Sequence, residues 1–401
     1  MSVIRHITLP AGFQAAGVKC GIKASGREDL AIVAGEAPCS VALVTTRNQV
    51  VGAPVLWCRQ IMPRGYGKAR GIVINSGCSN VCTGAAGLKD AKTMAALTAR
   101  KLGCTVEEVL VASTGVIGHR LPMDKVRRGI ADAALQLATH HDERALAAIM
   151  TTDTRPKSAV VQSHAGRTPF TVAGMAKGSG MIAPSLATMI GVITTDLAVA
   201  PAALHKALKA AVAGSFNAVT VDSDTSTSDT VAVFASGAAG NKSVTTGSPA
   251  YRAFAAVLKE VCDSLAYAIA ADGEGATKVI RVAVRGARND ADATIAAKAV
   301  ADSPLFKCAV HGGDPNWGRI VAALGKSAAK IVPEKLSVKI GGVTVFARGG
   351  GRKCDLKAVE QHLAETEVEV VCDLGLGRGG FTALTCDLSR EYITINADYH
   401  T

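Results

Sequence analysis

The central stretch KGSGMIAPSLATMIGVITTD, Lys177–Asp196, places the strongest restriction on how this chain can fold. No charged residue occurs between Gly178 and Thr195, and an uncharged segment of that length can span a membrane as a helix. Pro184 and the interspersed Gly, Ser and Thr residues argue against a spanning helix, because each adds a polar group or breaks the helix. The pattern instead predicts a glycine turn that leads into a buried strand, MIGVITT.

The pair Ala187–Thr188 within this stretch allows a second interpretation, in which the chain cuts itself. A Thr hydroxyl is a weak nucleophile at its own pKa and needs an adjacent base. Cutting the peptide bond before Thr188 would free an α-amine on the same residue. The ordinary pKa of an α-amine is about 7.7–8.0, which suits a base near neutral pH. Residue types alone leave both interpretations open.

A family resemblance favours the second interpretation. KGSGMIAPSLATM resembles the self-cleavage signature of the ornithine acetyltransferases, the bifunctional glutamate N-acetyltransferases of cyclic arginine biosynthesis. Other segments similar to that family are spread over nearly the whole chain: GFQAAGVKCGIKASGREDLA, INSGCSNVCTGAAGLKDA, ASTGVIG, TTDTRPK, DGEGATK, GGDPNWGRI and INADYHT. The resemblance implies an α/β fold of layered sheets and helices, of the ornithine acetyltransferase and aminopeptidase-like type, with an N-terminal-nucleophile-like site.

The same resemblance implies a reaction and a set of site residues. The precursor is expected to cut itself between Ala187 and Thr188 into chains 1–187 and 188–401, which assemble as two copies of each. Thr188 then carries acetyl from N2-acetylornithine to glutamate, with acetyl-CoA as a possible second donor and no metal or cofactor. Thr114 and Gly115 are the expected oxyanion donors. The expected substrate contacts are Thr151, Lys177, Thr188, Glu274, Asn396 and Thr401.

Composition limits the alternatives. A net charge of +11 suggests a basic nucleotide- or nucleic-acid-binding module, but no Lys/Arg-rich block with interleaved aromatic residues supports it. An amidase or aminopeptidase of similar fold, in which water replaces glutamate as acceptor, stays open as a rival enzyme.

The opening MSVIRHITLPAGF has no apolar core of a secretory signal, and the eleven cysteines are irregularly spaced. We therefore expect a cytoplasmic protein with reduced thiols and no nucleic-acid or membrane partner.

Periodicity independently predicts an α/β architecture. Strands are expected over residues 7–60 and in the last thirty or so residues, and a hairpin is expected to turn at Gly341–Gly342. Helices are expected over residues 87–103 and 248–271. A single long helix is expected from Met123 to about Met150.

Overall fold

The computed structural model describes residues 5–183 and 189–398. The predicted cleavage-site residues Ala187 and Thr188, and the predicted contact Thr401, lie outside the described residues. The strands are β1 (Phe13–Val18), β2 (Leu30–Thr45), β3 (Tyr66–Asn75), β4 (Val109–Ser113), β5 (Lys157–Ala165), β6 (Thr168–Lys177), β7 (Ile190–Thr195), β8 (Thr230–Ala235), β9 (Val279–Ala287), β10 (Ser337–Ile340), β11 (Val343–Ala347), β12 (Gly350–Gly351), β13 (Glu367–Asp373) and β14 (Gly379–Cys386). The helices are α1 (Ala53–Ile61), α2 (Gly84–Leu102), α3 (Met123–Leu135), α4 (Asp142–Ile149), α5 (Pro201–Ala213), α6 (Pro249–Ala271), α7 (Asp290–Ala301), α8 (Pro304–His311), α9 (Trp317–Gly325), α10 (Leu356–Leu363) and α11 (Arg390–Asp398).

Two mixed sheets organise the described residues. The larger has the order β4-β3-β2-β8-β7-β6-β5, with β1 paired to β2 beside this path. The smaller has the order β12-β11-β10-β13-β9-β14. Parallel pairing joins β3 to β4, β7 to β8 and β9 to β13, whereas the other pairs are antiparallel. Strand β2 joins the two halves of the larger sheet, because its Leu30 end pairs with Asn75 of β3 and its Thr45 end pairs with Thr230 of β8.

Helices cover both faces of the larger sheet, as the side chains of strand β8 show. Successive side chains of a strand point to opposite faces. Ala232 and Phe234 join a core formed with α1 to α4, while Val231 and Val233 join a second core formed with α5 and α6. All four side chains are buried, so the strand is apolar at consecutive positions instead of alternating with polar residues.

The smaller sheet buries one face against its own helices, and only part of the other face is covered. Ile280, Val282 and Val284 of β9 point into a third core beneath α7. Arg281 and Arg285, which alternate with them, are exposed. This alternation of apolar and exposed residues is typical of a half-buried strand.

Most of the predicted elements are confirmed. Helix α2 covers the predicted helix at 87–103 and ends at Gly103, which adopts the left-handed conformation that glycine tolerates. Helix α6 begins where expected, because the Ser248 side chain accepts a hydrogen bond from the Tyr251 N–H and so caps the first turn. Strands β10 and β11 form the predicted hairpin around Gly341–Gly342.

The single long helix predicted from Met123 to Met150 is wrong, because α3 ends at Leu135 and α4 begins at Asp142. Between them, Ala138 exchanges two backbone hydrogen bonds with Ala15 of β1, at 3.0 and 3.1 Å. The Asp142 carboxylate accepts further bonds from backbone N–H groups near the N-terminus. These tertiary contacts override the local helix preference.

Two stretches predicted as strands are helices. Residues 53–61 form α1, which has Pro54 in its first turn, where the missing N–H costs no helical bond. Residues 390–398 form α11, although YITIN is rich in β-branched residues. Within residues 5–183 and 189–398, no helix is long and apolar enough to cross a membrane.

Candidate functional site

A cavity of about 1020 Å³ brings together all the predicted site residues that the structure describes. These are Thr114, Gly115, Thr151, Lys177, Glu274 and Asn396. They come from the ends of β4, α4 and β6, from the loop after α6 and from α11. Functional sites are commonly built in this way, with side chains on loops that rigid elements position.

Thr114 and Gly115 follow directly after β4. The Thr114 N–H donates to the Asn75 carbonyl oxygen at 3.0 Å, which continues the parallel pairing of β3 and β4 beyond the strand end. Gly115 has φ +120°, and a β-carbon there would lie 2.4 Å from the carbonyl carbon of Gly77. Glycine is therefore required at this position, because any side chain would collide with backbone. In the described part of the chain, the Gly115 N–H has no acceptor and is available to a ligand.

Lys177 lies against Thr114. This last residue of β6 is buried, and its Nζ donates to Thr114 Oγ1 at 3.3 Å. A hydroxyl that accepts one hydrogen bond still has its own hydrogen to donate. Burial lowers the pKa of Lys177, and the nearby Asp153 carboxylate opposes that shift.

A buried ionic group lies behind Lys177. Lys157 Nζ contacts the carboxylates of Asp153 and Asp272 at 2.7 and 2.5 Å. The Asp153 carboxylate also accepts the N–H groups of Thr151 and Gly178, at 2.9 and 2.6 Å. Burial alone would raise the pKa of Asp153, but Lys177 and Lys157 hold it at about 2. Asp153 therefore stays ionised and fixes the backbone at Thr151 and at Gly178.

Glu274 lines the cavity together with residues of helix α11. Its carboxylate accepts a hydrogen bond from Asn396 Nδ2 at 2.8 Å, and its N–H donates to the Ser179 carbonyl oxygen at 2.9 Å. A β-carbon on Gly180 would lie 2.3–2.4 Å from the Glu274 carboxyl group. The glycine therefore leaves the room that this carboxylate occupies.

Two aspartates hold the chain on either side of residues 184–188. Asp222 accepts the N–H groups of Met181 and Ile182 at 2.6 and 2.8 Å, and Asp229 accepts that of Met189 at 3.0 Å. Both lie in the loop before β8. Burial raises the pKa of Asp222 and raises that of Asp229 well above the usual range of a carboxyl.

Sequence reasoning did not identify these supporting acids. Asp222 and Asp229 lie in VDSDTSTSD, which alone is typical of a polar turn. Asp153 lies in TTDTRPK, where the resemblance points to Thr151 but not to the carboxylate beside it. Neither segment carries a local signal that separates these buried carboxylates from solvated ones, because their partners are backbone N–H groups and lysines that only the folded chain brings to them.

Fold and site together define a layered α/β protein with a charged cavity to which the ends of β4 and β6 contribute. The chain matches the ArgJ family over residues 14–401. It is 47% identical over 400 residues to the "Arginine biosynthesis bifunctional protein ArgJ" of Symbiobacterium thermophilum, covering 98% of each chain. It is 46% identical to the Geobacter sulfurreducens protein of the same name, covering 97% of this chain and 99% of that one. A crystal structure of the Bacillus halodurans protein is 39% identical, has a TM-score of 0.50 and covers 51% of this chain and 97% of that one.

The chain belongs to the ArgJ family. The resemblance found in the sequence motifs is therefore confirmed, as is the layered α/β fold that it implied.

Proposed function

We propose that this chain is a self-cleaving acyltransferase that moves the acetyl group of N2-acetylornithine to glutamate in cyclic arginine biosynthesis. One observation carries the proposal: Thr114, Gly115 and the buried Lys177 converge on a cavity that Glu274 also lines. An acyl-transfer site needs such donors opposite the reacting carbonyl group. Relatives 46–47% identical over nearly their whole length are named as bifunctional proteins of arginine biosynthesis.

Self-cleavage begins when Thr188 Oγ attacks the carbonyl carbon of Ala187. The hydroxyl proton passes to the nitrogen of the breaking peptide bond, and an ester replaces the amide. Water hydrolyses the ester and leaves chains 1–187 and 188–401, with a free α-amine on Thr188. The match to the solved Bacillus halodurans chain spans 97% of that chain but 51% of this one. A solved chain that corresponds to about half of this sequence supports a two-chain enzyme. We infer that two copies of each chain assemble.

In the cut enzyme, the α-amine of Thr188 accepts the hydroxyl proton while Oγ attacks the acetyl carbonyl carbon. The Thr114 hydroxyl and the Gly115 N–H donate to the resulting oxyanion. Ornithine leaves with the proton on its nitrogen, and the acetyl group remains as an ester on Thr188. The glutamate α-amine then attacks this ester and releases Thr188. The chemistry needs no metal or bound cofactor, and acetyl-CoA can load Thr188 through the same steps.

The charged walls suit amino acids that carry both ammonium and carboxylate groups. We assign substrate contacts to Thr151, Lys177, Glu274, Asn396 and Thr401. Glu274 is the natural partner of an ammonium group, because charge-assisted hydrogen bonds are stronger than neutral ones. Asn396 fixes the orientation of that carboxylate.

Initial-rate kinetics test this function. One nucleophile that serves two substrates in turn gives ping-pong behaviour. We expect parallel double-reciprocal plots against N2-acetylornithine at several glutamate concentrations, and acetyl trapped on the 188–401 chain by mass spectrometry. Intersecting lines without acetylated Thr188 would contradict the covalent mechanism. Steady acetate release that is independent of glutamate would identify the amidase or aminopeptidase alternative instead.

Thr114→Ala tests the oxyanion donors. Removal of one such donor typically lowers kcat by about 10²–10³-fold, so we expect turnover to fall by roughly a hundredfold or more. Thr114→Ser is the matched control, because it keeps the hydroxyl that Lys177 contacts, and it should retain most of the activity. Thr114→Ala turnover within a factor of two of wild type would remove Thr114 from the site.

A further inference from the structure

Lys23 is a cation of the cavity wall that the proposed chemistry leaves unused. It lies in the turn between β1 and β2, partly buried. Its Nζ donates to the carbonyl oxygen of Glu28 at 2.7 Å, and its backbone N–H donates to the Asp29 carboxylate at 3.1 Å. In the described part of the chain its ammonium forms no ion pair. An ammonium has three N–H donors, so two are left for a ligand.

Close packing places this lysine beside the oxyanion donors. A β-carbon on Gly77 would lie 3.1 Å from Lys23 Cγ, and one on Gly115 would lie 2.4 Å from the Gly77 backbone. Gly77 therefore lies between the Lys23 side chain and Gly115 and is in close contact with both. Both glycines allow this approach because they carry no side chain.

The surroundings of Lys23 favour an incoming anion. Burial lowers its pKa to about 8, while the carboxylates of Asp29 and Asp153 oppose that shift. A partly desolvated ammonium gains strongly from a carboxylate that replaces its lost water. Lys177 is less available, since its Nζ is buried, contacts Thr114 and lies close to Asp153.

We propose that Lys23 binds the α-carboxylate of the amino-acid substrates. This inference rests on the acetyl transfer proposed above. N2-acetylornithine and glutamate both react at the nitrogen on Cα, so the α-carboxylate is the charged group nearest the oxyanion donors in both. One anchor beside Gly115 therefore serves both half-reactions. The side-chain ends carry opposite charges and lie three or more bonds from Cα, whereas the α-carboxyl carbon is bonded to it directly.

Lys23→Met in the full-length enzyme tests this assignment, because Met keeps the length of the side chain and removes the ammonium. We expect KM to rise about ten- to a hundredfold for both N2-acetylornithine and glutamate, the usual range for a charged hydrogen bond. The expected change in kcat is small, because the contact exists in both ground and transition states. Lys19→Met is the matched control, since Lys19 is exposed and does not line the cavity. It should leave both KM values unchanged.

A substrate analogue completes the test. N-acetylputrescine is N2-acetylornithine without its α-carboxylate, so wild type should deacetylate it poorly and Lys23→Met should cause little further loss. The proposal would be overturned if Lys23→Met weakened the reaction of N-acetylputrescine as much as that of N2-acetylornithine. Unchanged KM values in Lys23→Met would overturn it as well. A KM rise for glutamate alone would also overturn it, by assigning Lys23 to the side-chain carboxylate. A wild-type enzyme that transfers no acetyl would contradict the proposed function instead.

Discussion

Thr188→Ala is expected to leave the precursor whole and to abolish acetyl transfer. Alanine lacks the hydroxyl that attacks Ala187 in the first reaction and the acetyl group in the second. Scaling 40.9 kDa by 187/401 and 214/401 gives wild-type chains of roughly 19 and 22 kDa. A denaturing mass spectrum should show these two chains for wild type and one 40.9 kDa chain for Thr188→Ala.

Thr188→Ser is the matched control for both reactions, because it retains a hydroxyl and should still cleave. Cleavage of Thr188→Ala at the same bond would show that a contaminating protease makes the cut. An uncut Thr188→Ala protein that transfers acetyl at the wild-type rate would show that another group is the nucleophile.

Cleavage at residue 187 would not release the two chains from each other. Strand β7, after the cut, pairs with β6, before it, from Lys177↔Ile190 to Val172↔Thr195. Strand β8 likewise pairs with β2 over residues 40–45. The cut thus falls within the connection between two paired strands, and backbone hydrogen bonds and two shared cores hold the products together. Both products contribute lining residues to the cavity, so neither forms it alone.

Short-range patterns were enough to predict much of the fold. The hairpin at Gly341–Gly342 and the cap at Ser248 depend on residues within a few positions of each other, so local sequence determines them. The break between α3 and α4 depends on Ala138 pairing with Ala15, more than a hundred residues away. No local pattern contains such a contact, which is why one continuous helix was expected there.

The residues of the candidate site also fall into two groups, those that sequence motifs select and those that only the folded chain brings together. Motif resemblance selected Thr114 and Glu274, which the structure places on one cavity. It did not select Lys157, whose ammonium joins Asp153 to Asp272 across more than a hundred residues. A buried cation between two carboxylates is defined only by the folded chain, because each of the three residues alone is typical of a solvated surface.

Gly115→Ala is expected to lower turnover by more than a thousandfold. Among the variants proposed, only Thr188→Ala is expected to have a larger effect. The new β-carbon would lie 2.4 Å from the Gly77 backbone, so the segment must move and the Gly115 N–H must turn away from the oxyanion. Loss of one donor costs about 10²–10³-fold, and a displacement near 1 Å of the remaining donor Thr114 costs about another hundredfold. Turnover with N2-acetylornithine, measured on protein whose Tm confirms folding, tests this expectation.

Gly118→Ala separates the collision from backbone strain. Gly118 lies in the same loop and also has a positive φ, +86°, but nothing lies within 4 Å of an added β-carbon. We expect Gly118→Ala to lose about 1 kcal/mol of stability, because alanine tolerates positive φ poorly, and to keep nearly wild-type turnover. Equal losses of turnover in the two variants would mean that strain in the loop, and not the position of the Gly115 N–H, controls the rate. A folded Gly115→Ala enzyme with wild-type turnover would remove that N–H from the mechanism.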